Sequence, residues 1–488
     1  MQRLTKRQFL GRMMLAAGSA ATTSVLAACG SAPLAPTAAP VKPAEPTKPA
    51  PAATAAVPKP AEAPKPTAAP TMAAPAAKPT AAKEPVTLRF HMRAGGEKSE
   101  PGIYVQRPQE WEQETGYKVK LEPIAGADYA PKLMALAASN TIGDITWTNE
   151  TPNNFHSQFV KAKVLEPVDA FLGPHNVKKG EWFQVAVDTL TYDGKLYGLP
   201  KNSHPGAPYI YVNLKMFDEA GLKRPETYGA SFEDVATWAN KLSKGPKDRR
   251  DVYGLAVYVG NIIAITNGVR RFGGDVIDKD GVTSLADTEP WWEWATWHNR
   301  LINVDKVHPQ AEAQGTQGIQ GMFGSGKLAM FNHERGVYRA TRIAVGDKFP
   351  WTTIQFPKVA NPRGWGAIIA THTGTAASKH KDETFTLVYA LADRRMAYIT
   401  AKEEGYLTAR VDNLEAIGDL ANDPFLKLQY KCMEEEEVYW RPKNLRSVEL
   451  ETATTNHLDL LWLGKRDLDR AYLVELKKVM NDVLAKPA

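Results

Sequence analysis

The chain has 488 residues, 43% of them hydrophobic and 23% charged, with a formal net charge of +6 and only two cysteines, Cys29 and Cys432. The positive balance sits outside the long C-terminal part: residues 1–28 contribute +4 and the Ala/Pro/Thr-rich stretch after them another +4, leaving about −2 for residues 84–488. A nucleic-acid partner is therefore not indicated, and two cysteines are too few for a disulfide framework.

The N-terminus has a basic region around Lys6, Arg7 and Arg12, then an apolar run from Met13 to Leu26. This describes a secretory signal, too short for the about 20 apolar residues of a membrane span. The ending Leu26-Ala27-Ala28-Cys29 resembles the lipobox of bacterial lipoproteins, which implies that Cys29 is lipidated and becomes the mature N-terminus. An unlipidated signal with a chance cysteine is the alternative. The run from Thr5 to Leu10 also resembles a twin-arginine export signal with Lys in place of its first Arg, which leaves the Sec or Tat route open. Residues 30–83 are nearly all Ala, Pro, Thr and Lys and hold too little apolar surface to offset ordering entropy. They are expected to be a disordered tether.

About 405 residues remain, more than one core normally serves, so two lobes are expected. Val86–His91 alternates as a first strand, a polar glycine loop containing Arg93 and Glu97 follows, and residues 105–116 read as a helix closed by Gly116. Lys118–Pro123, Tyr129–Ser139 and Asp144–Trp147 continue as strand, helix and strand, the order of a parallel sheet with helices on its faces. Asp193-Gly194 has hairpin-turn chemistry. Leu196–Leu199 and Tyr209–Val212 read as strands, and the polar residues Lys201, Asn202, Ser203 and His204 as a loop between them, at a crossing between the lobes.

Ser231–Asp234 resembles a capping box ahead of the helical stripe Val235, Trp238, Ala239 and Leu242. Pro290 starts a helix whose Trp291, Trp294, Trp297 and Leu301 share one side, a pattern of core rather than of a sugar platform. Further strands are expected within Val252–Val259, Gly326–Asn332, Thr352–Pro357 and Ala367–Thr371, then helices through Thr384–Thr400 and Asp467–Leu484. Cys432 reads as a small core residue and Glu434–Glu437 as a solvated helix end.

Gly321–Lys327 has Walker A spacing but continues with Leu328 where the magnesium-binding hydroxyl belongs, so it is rejected as a phosphate loop. Asp278–Gly281 echoes half a calcium loop, but Val276 stands at the first ligand position, and a hairpin turn is the simpler reading. The zinc hydrolase motif H-E-x-x-H and the serine elbow G-x-S-x-G do not occur.

Taken together, DGKLYGLP followed by YIYVNLKMFDEAGLKRPETY, then RRFGGDVIDKDGVTS, GIQGMFGSGKLAMFNHERGVY and WGAIIATHTGTAASKHKDETFTLVYALAD resemble one family. It is the maltose-binding-type (family 1) extracellular solute-binding proteins of bacterial ABC importers. The aromatic pair that maltose binders place after the Gly-Lys-x-Ala-Met strand is replaced here by Asn332-His333-Glu334-Arg335, which argues against maltose.

The resemblance implies a two-lobed α/β fold of the periplasmic-binding-protein type II-like class, each lobe a mainly parallel sheet flanked by helices, joined by several hinge crossovers. It places lobe 1 at 84–205, lobe 2 at 206–366, a return to lobe 1 at 367–433 and C-terminal helices packing mainly on lobe 2 at 434–488. It also implies a non-catalytic monomer without cofactor or metal, exported and anchored to the outer face of the cell membrane. Its partners would be a small solute, a carbohydrate or polyol, and the permease subunits of an ABC transporter.

Strand-end logic nominates Arg93, Glu97, Trp147, Asn149 and Glu150 from the first lobe, and Asn202, Asn261, Asn332, Glu334, Arg335 and Trp365 from the crossing and second lobe. Trp440 and Arg441 join them near the last crossover. Two alternatives stand beside the neutral solute. One is an anionic solute, a phosphorylated polyol or acidic sugar held by Arg93, Arg335 and Arg441. The other is a secreted glycan-cleaving enzyme using Glu97, Glu150 or Glu334 as acid and base.

Overall fold

The computed structural model describes residues 85–94, 102–126, 128–150, 155–438 and 441–487. The segments expected to be an export signal and a tether, Cys29, Glu97 and Trp440 lie outside the described residues. In chain order the strands are β1 (Thr87–Ala94), β2 (Lys118–Ala125), β3 (Ile145–Asn149), β4 (Thr191–Tyr192), β5 (Lys195–Leu196), β6 (Leu199–Pro205) and β7 (Tyr209–Asn213). They continue with β8 (Tyr253–Ala256), β9 (Leu328–His333), β10 (Trp351–Gln355), β11 (Trp365–Gly374) and β12 (Glu436–Glu437).

The first sheet has the order β12-β11-β3-β1-β2, with β6 also paired to β11. Its founding β-α-β-α-β unit is as the sequence indicates: β1 runs parallel to both β2 and β3, and the helix Gly102–Thr115 stops where Gly116 turns to φ +78°. Alternation sets the face, because Leu88, Phe90 and Met92 all point into one core with Trp111 and Ile369. The second sheet, β10-β7-β9-β8, departs from the mainly parallel expectation. Strand β7 is antiparallel to both β9 and β10, and only β8 and β9 are parallel. All five residues of β7 are buried, and a strand covered on both faces carries no periodic cue to its partners' direction.

Each sheet has its own core. The larger cluster gathers β7 and β9 with Trp291, Trp294 and the C-terminal helices Ser447–Trp462 and Arg470–Leu484. Trp291 and Trp294 are fully buried, as their helical spacing requires. The helix Pro424–Glu434, expected with the first lobe, instead sends Phe425, Leu428, Cys432 and Met433 into this larger core, where burial pushes the Cys432 thiol up to about 12. Strand β11 leaves one core for the other: Trp365 packs in the larger cluster, Ala367 and Ile369 in the smaller. Similarly, Leu199 on β6 belongs to the smaller core and Tyr209, the first residue of β7, to the larger.

Three local expectations need correction. Lys201 to His204 are not a loop but the middle of β6, paired to β11 from Pro205↔Ala367 to Leu199↔His372. Two prolines and four polar residues disguise a strand whose partner lies far along the chain. The helix expected over Thr384–Thr400 is two, Lys381–Ala390 and Arg394–Glu404, because the Asp393 carboxylate accepts from Met396 N at 2.7 Å and starts a new helix. Glu434–Glu437 is not a solvated helix end either, since Glu436 and Glu437 form β12 on the start of β11.

Other local readings hold. Asp193 (φ +49°) and Gly194 (φ +75°) turn the β4–β5 hairpin, and Ser231 and Asp234 form the reciprocal capping box. Residues Gly318–Gly324 are helical, so the Walker-like spacing makes no phosphate-cradling loop. No helix among the described residues is long and apolar enough to cross a membrane.

Gly254 on β8 lies so close to the helix Phe232–Leu242 that an added Cβ would sit 1.8 Å from the Ala239 carbonyl oxygen. Gly254→Ala is expected to destabilise the protein by about 2 kcal/mol or more, read as a lower urea midpoint. An unchanged midpoint would show that strand and helix separate without cost.

Candidate binding site between the two cores

Strand β6 delivers Lys201, Asn202, Ser203 and His204 to the junction of the cores, all at most 8% exposed. The β6–β11 register shifts between Ala370 and Thr371, and Lys201 is the residue without a partner on β11. Its ammonium donates to the Tyr104 phenol and lies 4.7 Å from that ring's centroid. Burial opposes the Lys201 charge, but the phenol oxygens of Tyr104 and Tyr406 outweigh it and raise the pKa. The Ser203 hydroxyl donates to Glu436, whose carboxyl is driven by burial up to about 8 and so is largely protonated at neutral pH. His204 is held neutral by burial and by the nearby Arg335 cation.

The second sheet supplies the opposite side. Asn332, at the end of β9, donates to the carbonyls of Ala207 (2.8 Å) and Tyr209 (2.9 Å) and so pins the β6–β7 turn. Beyond it the Tyr211 hydroxyl donates to the Glu334 carbonyl at 3.1 Å, while burial raises the Glu334 carboxyl despite Arg335 beside it. Arg335 is 7% exposed and stacks its guanidinium 3.7 Å from the centroid of Tyr406. A cavity of about 230 Å³ opens here, lined by His204, Glu334, Arg335, Arg339, Glu404 and Tyr406, with Arg339 and Glu404 3.8 Å apart. A small cavity whose polar groups come from several segments is the arrangement expected for holding a hydroxylated solute. No group of three or more His, Cys, Asp or Glu side chains among the described residues could hold a metal ion.

A second meeting of the lobes lies at the last crossover. Arg441 packs its backbone by the turn at Gly281, where Lys443 N donates to the Gly281 carbonyl, and sends its guanidinium to Glu150 and the Tyr192 hydroxyl. Glu150 is fully buried and also accepts from Ser157 N at 2.7 Å. Desolvation lowers the Arg441 pKa to about 10, so the group stays charged at neutral pH and the ion pair joins the last crossover to the end of β3.

The nominated residues thus fall into groups. Glu334 and Arg335 line the cavity, and Asn202 lies beside it on β6. Glu150 and Arg441 meet each other. Arg93 places its guanidinium 5.3 Å over the Trp147 ring, which packs edge-on to Tyr129, and Asn149 pairs with Ala370 on β11. Asn261 serves as the N-cap of Ile262–Arg271, accepting from Ala264 N and donating to the Tyr258 hydroxyl. Asn332 is likewise spent on backbone.

Trp365 is the main correction. It is 0% exposed, with the Arg271 guanidinium 4.0 Å from its ring, so no face is open to a solute. Sequence reasoning did not nominate His204, Glu404, Tyr406 or Glu436. Only their long-range neighbours distinguish them, and no spacing signal marks them.

Between pH 4.5 and 8 the folded chain holds a proton on Glu436 that the unfolded chain releases, so this group makes stability fall as pH rises, by at most about 1.4 kcal/mol per unit. Glu436→Gln removes that slope. Urea midpoints at pH 5, 6.5 and 8 should show the variant gaining on wild type as pH increases; parallel curves would contradict the buried protonated carboxyl.

A family model described as bacterial extracellular solute-binding protein matches residues 106–426. No curated protein matches the chain. Among solved structures, the ABC substrate-binding protein of Listeria monocytogenes in complex with cycloalternan is similar at 17% identity and TM-score 0.69, covering 82% of this chain and 99% of that one. The GacH receptor of Streptomyces glaucescens, studied unliganded and with acarbose, gives 17% identity, TM-score 0.69, and coverage of 83% and 100%. A solute-binding protein of Thermotoga lettingae bound with α-D-tagatose gives 17% identity, TM-score 0.67, and coverage of 82% and 100%. These likenesses establish the two-lobed fold, and the family is one of binding proteins rather than enzymes. With two thirds of its length inside the family match and two separately cored α/β lobes around a polar cavity, the chain belongs to the bacterial extracellular solute-binding proteins.

Proposed function

We propose that the protein is a lipid-anchored receptor that captures a carbohydrate or polyol between its lobes and hands it to the permease of an ABC importer. The observation that carries this reading is the polar cavity of about 230 Å³ at the junction of the cores, to which β6 contributes His204 and the segment after β9 contributes Glu334 and Arg335. A solute touching groups from both lobes stabilises the closed arrangement over the open one, and that difference in affinity is the only way it can shift the equilibrium. The sugars bound by the Listeria, Streptomyces and Thermotoga proteins support a polyhydroxylated ligand. The lipobox at Cys29 and the tether over 30–83 support a folded monomer held off the outer face of the membrane. The proposed lobes are 84–205 with 367–433, and 206–366 with 434–488, amended by the helix Pro424–Glu434, which packs with the second core.

Thermal shift and small-angle scattering over a sugar panel test the reading. A cognate solute should raise Tm and contract the scattering profile, whereas no contraction with any solute that binds would defeat capture by closure. Arg441→Met leaves Glu150 buried without its cation and should both destabilise the protein by about 3–5 kcal/mol and expand the unliganded profile. Cys29→Ser should move the protein from the membrane fraction to the soluble exported fraction, and retention on the membrane would reject the anchor.

A further inference from the structure

Arg335 is more than nine-tenths buried and lines the cavity, yet its Nε has no hydrogen-bond partner and no carboxylate lies within ion-pair distance of its guanidinium among the described residues. The face of Tyr406 covers the guanidinium, and the Glu334 carboxyl attracts it from nearby without an ion-pair contact. Stacking on a phenol ring offsets only part of the cost of removing a guanidinium from water. The second cation nearby, Lys201, is 4% exposed, donates to the Tyr104 phenol and has no carboxylate within ion-pair distance among the described residues, and it lies close enough to Arg335 for the two charges to repel. The remaining groups do not balance this excess. Arg339 and Glu404 face each other at 3.8 Å, Glu436 is occupied by Ser203, and His204 is neutral. Glu334 is the carboxyl left for solute hydroxyls, with burial holding its pKa up.

We propose that the solute carries an anionic group, a carboxylate or a phosphate on a polyhydroxylated body, and that Arg335 receives it while Tyr406 holds the guanidinium plane in place. This rests on the receptor reading above and narrows its ligand class. A planar guanidinium fixed by a ring presents paired N–H donors to two oxygens of one anion, a geometry that an ammonium cannot reproduce. The anion would satisfy the open Nε and neutralise the buried excess together. Glu334, on the same wall, would accept hydroxyl hydrogens of the sugar body. Of the three arginines considered for an anion from sequence, Arg441 is already engaged by Glu150 and Arg93 lies over Trp147, which leaves Arg335 as the receptor of charge.

The test is calorimetric titration of the whole exported chain with matched pairs: hexuronates against their parent hexoses, and hexose phosphates against the same hexoses. The charged member of a pair should bind roughly 10- to 100-fold more tightly than its neutral parent, with the pair that shows the gap identifying carboxylate or phosphate. Arg335→Gln should abolish that gap, so that the charged and neutral members of each pair bind alike. Arg335→Lys keeps the charge and secures the test if the Gln variant fails to fold; it should retain part of the preference. Equal binding of charged and neutral members, or a gap that survives in Arg335→Gln, overturns the inference and leaves the receptor reading standing. Binding of neither member of any pair removes the receptor reading itself, and the anionic ligand with it.

Discussion

The structure depends on a buried charge clamp where the chain crosses between lobes. Arg270, fully enclosed at the end of the helix Ile262–Arg271, donates to Asp275 (2.6 Å), to Glu437 (2.6 Å) and to the Gly364 carbonyl (2.6 Å). Glu437 also accepts from Arg363 and from Gly364 N. One guanidinium therefore ties the start of β11 to β12 and both to a helix of the second lobe. An ion pair in such a place adds little net stability, because desolvation consumes much of the attraction, but breaking it strands a charge in the interior. Its effect is to make one arrangement of the crossing much better than its neighbours.

From that fixed junction the rest follows. Strand β11 passes from the larger core at Trp365 to the smaller one at Ala367, and β6 pairs along it, so the polar residues of β6 are carried to a defined position. Asn332 locks the β6–β7 turn to the end of β9, which brings Glu334 and Arg335 opposite His204. The cavity is thus bounded by groups whose backbones are held by pairing and hydrogen bonds. The Arg441–Glu150 pair joins the last crossover, which packs on the turn at Gly281, to the end of β3. Trp365, covered by Arg271, fills space in the larger core at the start of β11 rather than greeting a solute.

Much was legible in advance where physics is local. The Asp193-Gly194 turn, the Ser231 capping box, the alternating first strand and the one-sided tryptophans each depend on neighbours a few residues away. Legibility failed where partners are distant. Residues 201–204 look like a polar loop until β11 pairs with them, and Glu434–Glu437 look solvated until Arg270, Arg271 and Ser203 are brought alongside. Trp365 reads as a cleft residue because it follows a strand expected to aim there, and strand-end reasoning does not know which face the neighbouring helix will cover.

Sequence alone therefore determined the α/β class, the family resemblance and most element positions, because these rest on composition, periodicity and short-range hydrogen bonding. Only the tertiary structure decided which polar groups are neutralised and which are left open. Arg270, Arg441 and Arg335 are the same residue type, yet the first is clamped by Asp275 and Glu437, the second meets Glu150, and the third lines the cavity with no ion-pair contact among the described residues. A charge's role is set by what lies within a few ångströms of it after folding, and that information is spread over segments more than a hundred residues apart.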